Sequence, residues 1–121
     1  MRKKVVYVAG PFRPKEPGNC WEMVMNIRRA EELALEVWRL GAVALCPHMN
    51  TEHFQGALSD EAWLEGDLEL LSRCDAVVLV WGWKASRGTV AEVDFAIECG
   101  IPVFDSVSGL AEWLVREGVA A

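Results

Sequence analysis

Two carboxylates stand where helical periodicity asks for apolar side chains. Plotted at about 100° per residue, the segment 60–73 gathers Trp63, Leu64, Leu68, Leu70, Leu71 and Cys74 on one side. Glu61, Glu65, Glu69 and Ser72 lie opposite, yet Asp67 falls in the middle of the apolar arc. In the segment 88–99, Asp94 and Glu98 share the solvent face, whereas Glu92 points nearly the other way, near Ala96 and Cys99. Glu92 also lies in the first turns of its helix, where the dipole favours an ionised carboxylate. Asn26 is a third exception, beside Ala30, Leu33 and Val37 on the apolar side of a long helix. A buried carboxylate must be hydrogen-bonded, paired or shifted in pKa, because burying it bare is too costly. Any one of the three, taken singly, is better read as a buried polar group satisfying loop backbone. Three of them on elements that converge on one crevice make a site the better reading. Two acids in a crevice are what general acid–base or covalent glycosyl chemistry requires.

The convergence follows from the order of the elements. Residues 5–9 form a short, continuously apolar, β-branched run, which reads as a buried parallel strand ended by Gly10 and Pro11. A helix is expected over about 21–40, stopped by Gly41, then a strand over 42–45 closed by Pro47. Residues 46–58 read as a long loop with room for a short turn of helix. Ser59 is a candidate N-cap for a helix ending near Arg73, with Asp60 and Glu61 in its first turn. Residues 76–81 are the most apolar strand, 88–99 a helix closed by Gly100, 101–104 a final strand and 110–117 a final helix. Strands alternating with helices give right-handed βαβ units and a mostly parallel sheet. The expected fold is an α/β, flavodoxin-like three-layer domain spanning 1–121, with a small parallel sheet in the order 2-1-3-4. Its site belongs at the carboxyl ends of the first and third strands, where the order reverses.

Other residues fall near that switch point. Tyr7 is three residues before Gly10, so its hydroxyl can reach the same crevice, although a strand tyrosine is more often core. Ser86 and Gly88 open the third-strand loop into a helix N-terminus, a ready anion site and equally an ordinary cap. Arg13 offers a planar fork beside the Gly10 turn, which suits a phosphate. His48, His53 or Phe54 in the long loop are placed to touch a base or sugar. Trp81 and Trp83 flank the mouth of the third strand and could stack on a base. Trp38, Trp63 and Trp113 fit amphipathic faces and are expected in the core. The spacing Cys46-x-His48-x4-His53 fits no common zinc pattern, so neither metal nor cofactor is expected.

Composition bounds the remaining choices. The 121 residues suit one domain, and 52% hydrophobic with 25% charged residues suits a packed core. A net charge of −6 without a basic run argues against extended nucleic-acid contact. Cys20, Cys46, Cys74 and Cys99 form no C-x-x-C pair, lie in or beside apolar segments and read as buried free thiols. The apolar run after the basic start is too short for a signal peptide or membrane span, which makes a cytoplasmic protein the default.

Several blocks together resemble the nucleoside 2-deoxyribosyltransferase-like superfamily, which includes deoxyribosyltransferases and nucleoside 5′-monophosphate N-glycosidases. They are Y-V-A-G at 7–10, G-D-L-E-L-L-S-R-C-D-A-V-V-L-V at 66–80, S-R-G-T-V-A-E at 86–92 and A-x-x-x-G-I-P-V at 96–103. The resemblance implies that Glu92 is the nucleophile that takes the sugar, that Tyr7 orients it, and that Asp67 assists the leaving base. With the residue reading above, the expected substrate-binding set is Gly10, Arg13, Asn26, His48, Ser86 and Gly88; the resemblance implies a small nucleoside or nucleotide substrate and self-association into a dimer or larger assembly. In the transferases an aspartate commonly stands six residues before the nucleophile, where this chain has Ser86. Serine there, and an arginine three residues after the glycine, are similar to the monophosphate glycosidases. Against a 5′-phosphate, Pro11 has no N–H to offer. G-T-V-A-E at 88–92 also resembles the phosphoribohydrolases of the lysine-decarboxylase-like type, whose preceding P-G-G is missing. A non-catalytic nucleotide-binding module is the reading from a different class.

Overall fold

A computed structural model describes residues 2–54 and 56–119. Four strands, β1 (Val5–Ala9), β2 (Val43–Leu45), β3 (Ala76–Leu79) and β4 (Val103–Phe104), form one parallel sheet in the order β2-β1-β3-β4. This is the expected α/β, flavodoxin-like arrangement. Five helices connect and cover the strands: α1 (Cys20–Arg39), α2 (Pro47–Thr51), α3 (Asp60–Leu71), α4 (Arg87–Glu98) and α5 (Val107–Arg116). Single 3-10 turns follow α2 over Glu52–Phe54 and precede α4 over Trp83–Ala85.

The central pair β1 and β3 is buried on both faces, which is why both read as unbroken apolar runs. Val6 and Val8 pack with Val78, with Ala30, Ala34 and Val37 of α1, and with Leu110 and Leu114 of α5. Tyr7 and Ala9 point the other way, to Val77, Leu79, Leu71 of α3 and Val93 and Ala96 of α4. Side chains alternate across a strand, so one five-residue segment supplies both cores.

Helix boundaries follow their caps. The side chains of Asn19, Ser59, Ser86 and Ser106 accept the backbone N–H of Glu22, Ala62, Thr89 and Gly109, opening α1, α3, α4 and α5. The cap at Ser106 starts the last helix earlier than the apolar pattern from Leu110 indicates. Gly41, at φ 91°, turns the chain out of α1 in the left-handed conformation that favours glycine. β3 ends two residues sooner than expected, and Trp81 beyond it is 94% exposed. Trp38 is likewise exposed rather than core, because it lies one step round α1 from the buried Val37. Cys46 and Cys74 are buried free thiols, but Cys20 and Cys99 are exposed because they sit at helix ends. No helix among the described residues is long and apolar enough to cross a membrane.

Candidate active site

The carboxyl ends of β1 and β3 open into a cavity of about 960 Å³, large enough for a small organic substrate. The loop from Gly10 to Lys15 forms one wall, α3 the opposite wall, and the start of α4 the third. Gly10 is required by packing, since a Cβ there would lie 2.4 Å from the Val80 side chain. The β1 loop can therefore pass over β3 only because position 10 has no side chain. At Gly88 a Cβ would meet nothing within 4 Å, so the N-terminus of α4 faces open space.

Behind the cavity lining, the Tyr7 hydroxyl donates to Oε2 of Glu92, which does line the cavity, joining the strand to the helix. Both residues are buried, Tyr7 completely and Glu92 to 8% exposure. Burial, followed by the charges of Glu92 and Asp67, drives the Tyr7 hydroxyl well above the ordinary phenol value. Tyr7 is thus a permanent donor and not a base. Burial pushes Glu92 up to about 7; the Tyr7 hydrogen bond pulls it down and the Asp67 charge pushes it up. Burial alone raises Asp67 to about 6. Both acids are thus raised toward neutrality, and the Asp67 charge is one cause of the rise at Glu92. Two acids raised toward neutrality and lining one cavity can divide attack at one atom and proton donation at another.

Asp67 belongs to a face of α3 that also carries Asp60, Trp63 and Leu64, all lining the cavity. Their spacing of three, four and seven residues is one helical stripe. Asp60 was legible from its place two turns before Asp67, but an exposed first-turn acid reads first as a helix-dipole partner. Asp60 accepts from Arg13 Nη2 across the cavity mouth. Arg13 therefore reaches the crevice, where a carboxylate already engages it. Trp63 lines the cavity and stacks on Phe54 with ring centroids 6.4 Å apart, so its role is cavity wall as much as core. Trp113 packs against Phe104 and the first core.

Ser86 caps α4 by accepting from Thr89 N at 3.2 Å and from the buried Thr89 hydroxyl at 2.9 Å. Both Ser86 and Gly88 line the cavity. Asn26 and His48 are buried at its edge; Asn26 Nδ2 and His48 Nε2 are turned to loop carbonyls, whereas His48 Nδ1 is buried without a partner among the described residues. Burial lowers the His48 pKa, which keeps the imidazole neutral. His53 is exposed beside Glu52, away from the cavity lining. Trp81 lines the mouth, whereas Trp83 packs against the second core. Arg29 and Arg87 also line the cavity, though their sequence context reads as ordinary helix surface.

Residues 4–105 match the protein family described as "Domain of unknown function (DUF4406)", and the chain belongs to that family. Among solved structures it matches a 2-deoxyribosyltransferase from the psychrotolerant bacterium Bacillus psychrosaccharolyticus, described as a biocatalyst for nucleoside synthesis. The identity is 22% and the TM-score 0.58, over 82% of this chain and 69% of that one. The likeness is one of fold. A search of curated proteins finds no match.

Proposed function

We propose that this DUF4406 member cleaves the N-glycosidic bond of a nucleoside or nucleoside 5′-monophosphate through a glycosyl ester on Glu92. The observation that carries the reading is the buried Tyr7–Glu92 hydrogen bond behind a cavity that Glu92 and Asp67 both line. A structural role alone gives no reason to bury a carboxylate at this depth with a single hydroxyl donor. The deoxyribosyltransferase fold supports the same reading.

In the first step the ionised Glu92 carboxylate attacks the anomeric carbon and forms a C–O bond. The C–N bond breaks and its electron pair leaves with the base, which takes a proton from the Asp67 carboxyl. Tyr7 keeps Glu92 oriented, and its hydrogen bond favours the ionised form. In the second step water, or the nitrogen of another base, attacks the same carbon and Glu92 leaves as carboxylate. The proton released by the acceptor returns to Asp67, so the enzyme ends as it began.

The test is a panel of nucleosides and 5′-monophosphates incubated with protein and scanned for released base. Glu92→Gln is near-isosteric but cannot act as an anionic nucleophile. It is expected to lose roughly three orders of magnitude or more in rate with an unchanged circular dichroism spectrum. Wild-type turnover by the folded variant sinks the covalent mechanism, and no base release from any substrate favours a binding module.

A further inference from the structure

Three successive carbonyls of the loop between β1 and α1 are held by side chains. The His48 Nε2 lies 2.8 Å from Pro11 O, and Asn26 Nδ2 lies 3.2 Å from Phe12 O and 3.4 Å from Arg13 O. A carbonyl only accepts, so Nε2 must carry the imidazole proton. Arg29 Nη1 donates to Asn26 Oδ1 at 3.2 Å, which turns the NH2 end of that amide toward the loop. Asn26 and His48 are both buried, so these bonds are shielded from competing water.

The peptide geometry then determines where the loop's donors face. In a trans peptide the carbonyl and the following N–H point in opposite directions, and no described peptide is cis. With Pro11 O turned to His48 and Phe12 O turned to Asn26, the N–H groups of Phe12 and Arg13 point away from both. Among the described residues neither N–H has a hydrogen-bond partner. Pro11 and Pro14 flank them and have no N–H. The loop therefore presents two adjacent donors without a protein partner beside the Arg13 guanidinium, itself ion-paired to Asp60, on a segment that lines the cavity.

We propose that His48, Asn26 and Arg29 are positioning residues that hold the Phe12 and Arg13 amides ready for a phosphomonoester on the substrate. Two successive N–H groups with a guanidinium are a cradle for an oxyanion with several acceptor oxygens. The lack of an N–H at Pro11 removes one donor from this loop but leaves the next two. The inference rests on the glycosidic reading for the identity of the substrate, and on the loop alone for the anion.

The experiment is isothermal titration of a nucleoside 5′-monophosphate, the matching nucleoside and inorganic phosphate into wild type and four variants. Asn26→Asp keeps the acceptor for Arg29 but sets a carboxylate against two carbonyls. His48→Ala removes the donor to Pro11, His48→Gln restores an N–H at similar reach, and Arg29→Ala frees the Asn26 amide. Affinity for the monophosphate is expected to fall about tenfold in Asn26→Asp and His48→Ala. Affinity for the nucleoside is expected to fall much less, and His48→Gln is expected to recover most of the loss. If His48→Ala does not fold, the smaller fall in Arg29→Ala, about threefold, decides in its place. Equal weakening of both ligands, or a glutamine no better than alanine, overturns the proposal in favour of a purely structural loop anchor. A wild type that binds neither monophosphate nor phosphate overturns it too. Monophosphate binding without base release keeps this proposal and sinks the glycosidic reading; nucleoside cleavage without phosphate binding does the reverse.

Discussion

The two faces of the sheet share their strands but not their chemistry. On one face Val6 and Val8 meet α1 and α5 in a core of aliphatic side chains and one buried thiol. On the other, Tyr7 and Ala9 meet α3 and α4, and there the packing encloses a hydroxyl and a carboxylate. The first face supplies cohesion, and that allows the second to hold an ionisable pair at some expense of stability. The sign follows from the shift. The folded pKa of Glu92 lies above its ordinary 4.5, at about 7, so the fold favours its protonated form. The stabilisation from that preference is fully present below about pH 4.5 and is lost as pH rises through about 7.

The largest expected effect breaks the cohesive face. Leu114 is 2% exposed, and Leu114→Ala is expected to cost about 2–5 kcal/mol in urea unfolding. The pH dependence of turnover at permissive temperature is expected to keep its shape, because no group of the second face is touched. A shifted pH profile would show that the faces are coupled.

The next effect has the opposite sign. Glu92→Gln removes a charge that burial disfavours, so at pH 8 it is expected to stabilise the fold by on the order of 2 kcal/mol. The gain is expected to shrink toward zero near pH 5, where the wild-type carboxyl is protonated in the fold. Thermal melts of both proteins across that range check it, and a destabilised variant at pH 8 would make Glu92 part of the cohesive structure.

Tyr7→Phe sharpens the comparison within one residue, since it keeps the ring and removes the hydroxyl. Wild-type turnover is expected to follow a bell with limbs near 6 and 7, the values of Asp67 and Glu92, with the active form (Glu92 ionised, Asp67 protonated) the minor of the two singly protonated forms. Loss of the bond that pulls Glu92 down is expected to move the upper limb upward by about one pH unit and to lower the maximum. A profile that only scales, with both limbs fixed, would remove Tyr7 from the control of Glu92.

The smallest effect concerns Asp67. Asp67→Asn is expected to slow substrates with poor leaving bases about tenfold more than activated ones, which need less proton donation. Equal losses across a leaving-group series would assign Asp67 to positioning.

The strands, their order and the acids of the site were legible because each is written locally. Val5–Ala9 and Ala76–Leu79 are apolar on both faces, Gly10 and Gly41 end their elements, and Asp67 and Glu92 break a helical pattern. What escaped depends on partners distant in the chain. Asn26 stands out in sequence as a misplaced polar group, and His48 as a loop residue near the crevice. Only the fold shows that they hold carbonyls 13 to 37 residues away. The pairing of Arg13 with Asp60, 47 residues apart, has no local signal either. Trp38 and Trp83 show the converse error, because an aromatic side chain by itself does not say which side of an element turns inward.

The central claim is a sugar carried on Glu92, and intact-protein mass spectrometry tests it most directly. The protein is incubated with a 2′-fluorinated nucleoside, whose electron-withdrawing substituent slows release of a glycosyl ester, and then digested and mapped. The expected result is a mass increase equal to one fluorinated glycosyl group, located on the peptide containing Glu92 and absent from Glu92→Gln. Base release by the wild type with no adduct, or an adduct on another residue, would contradict it.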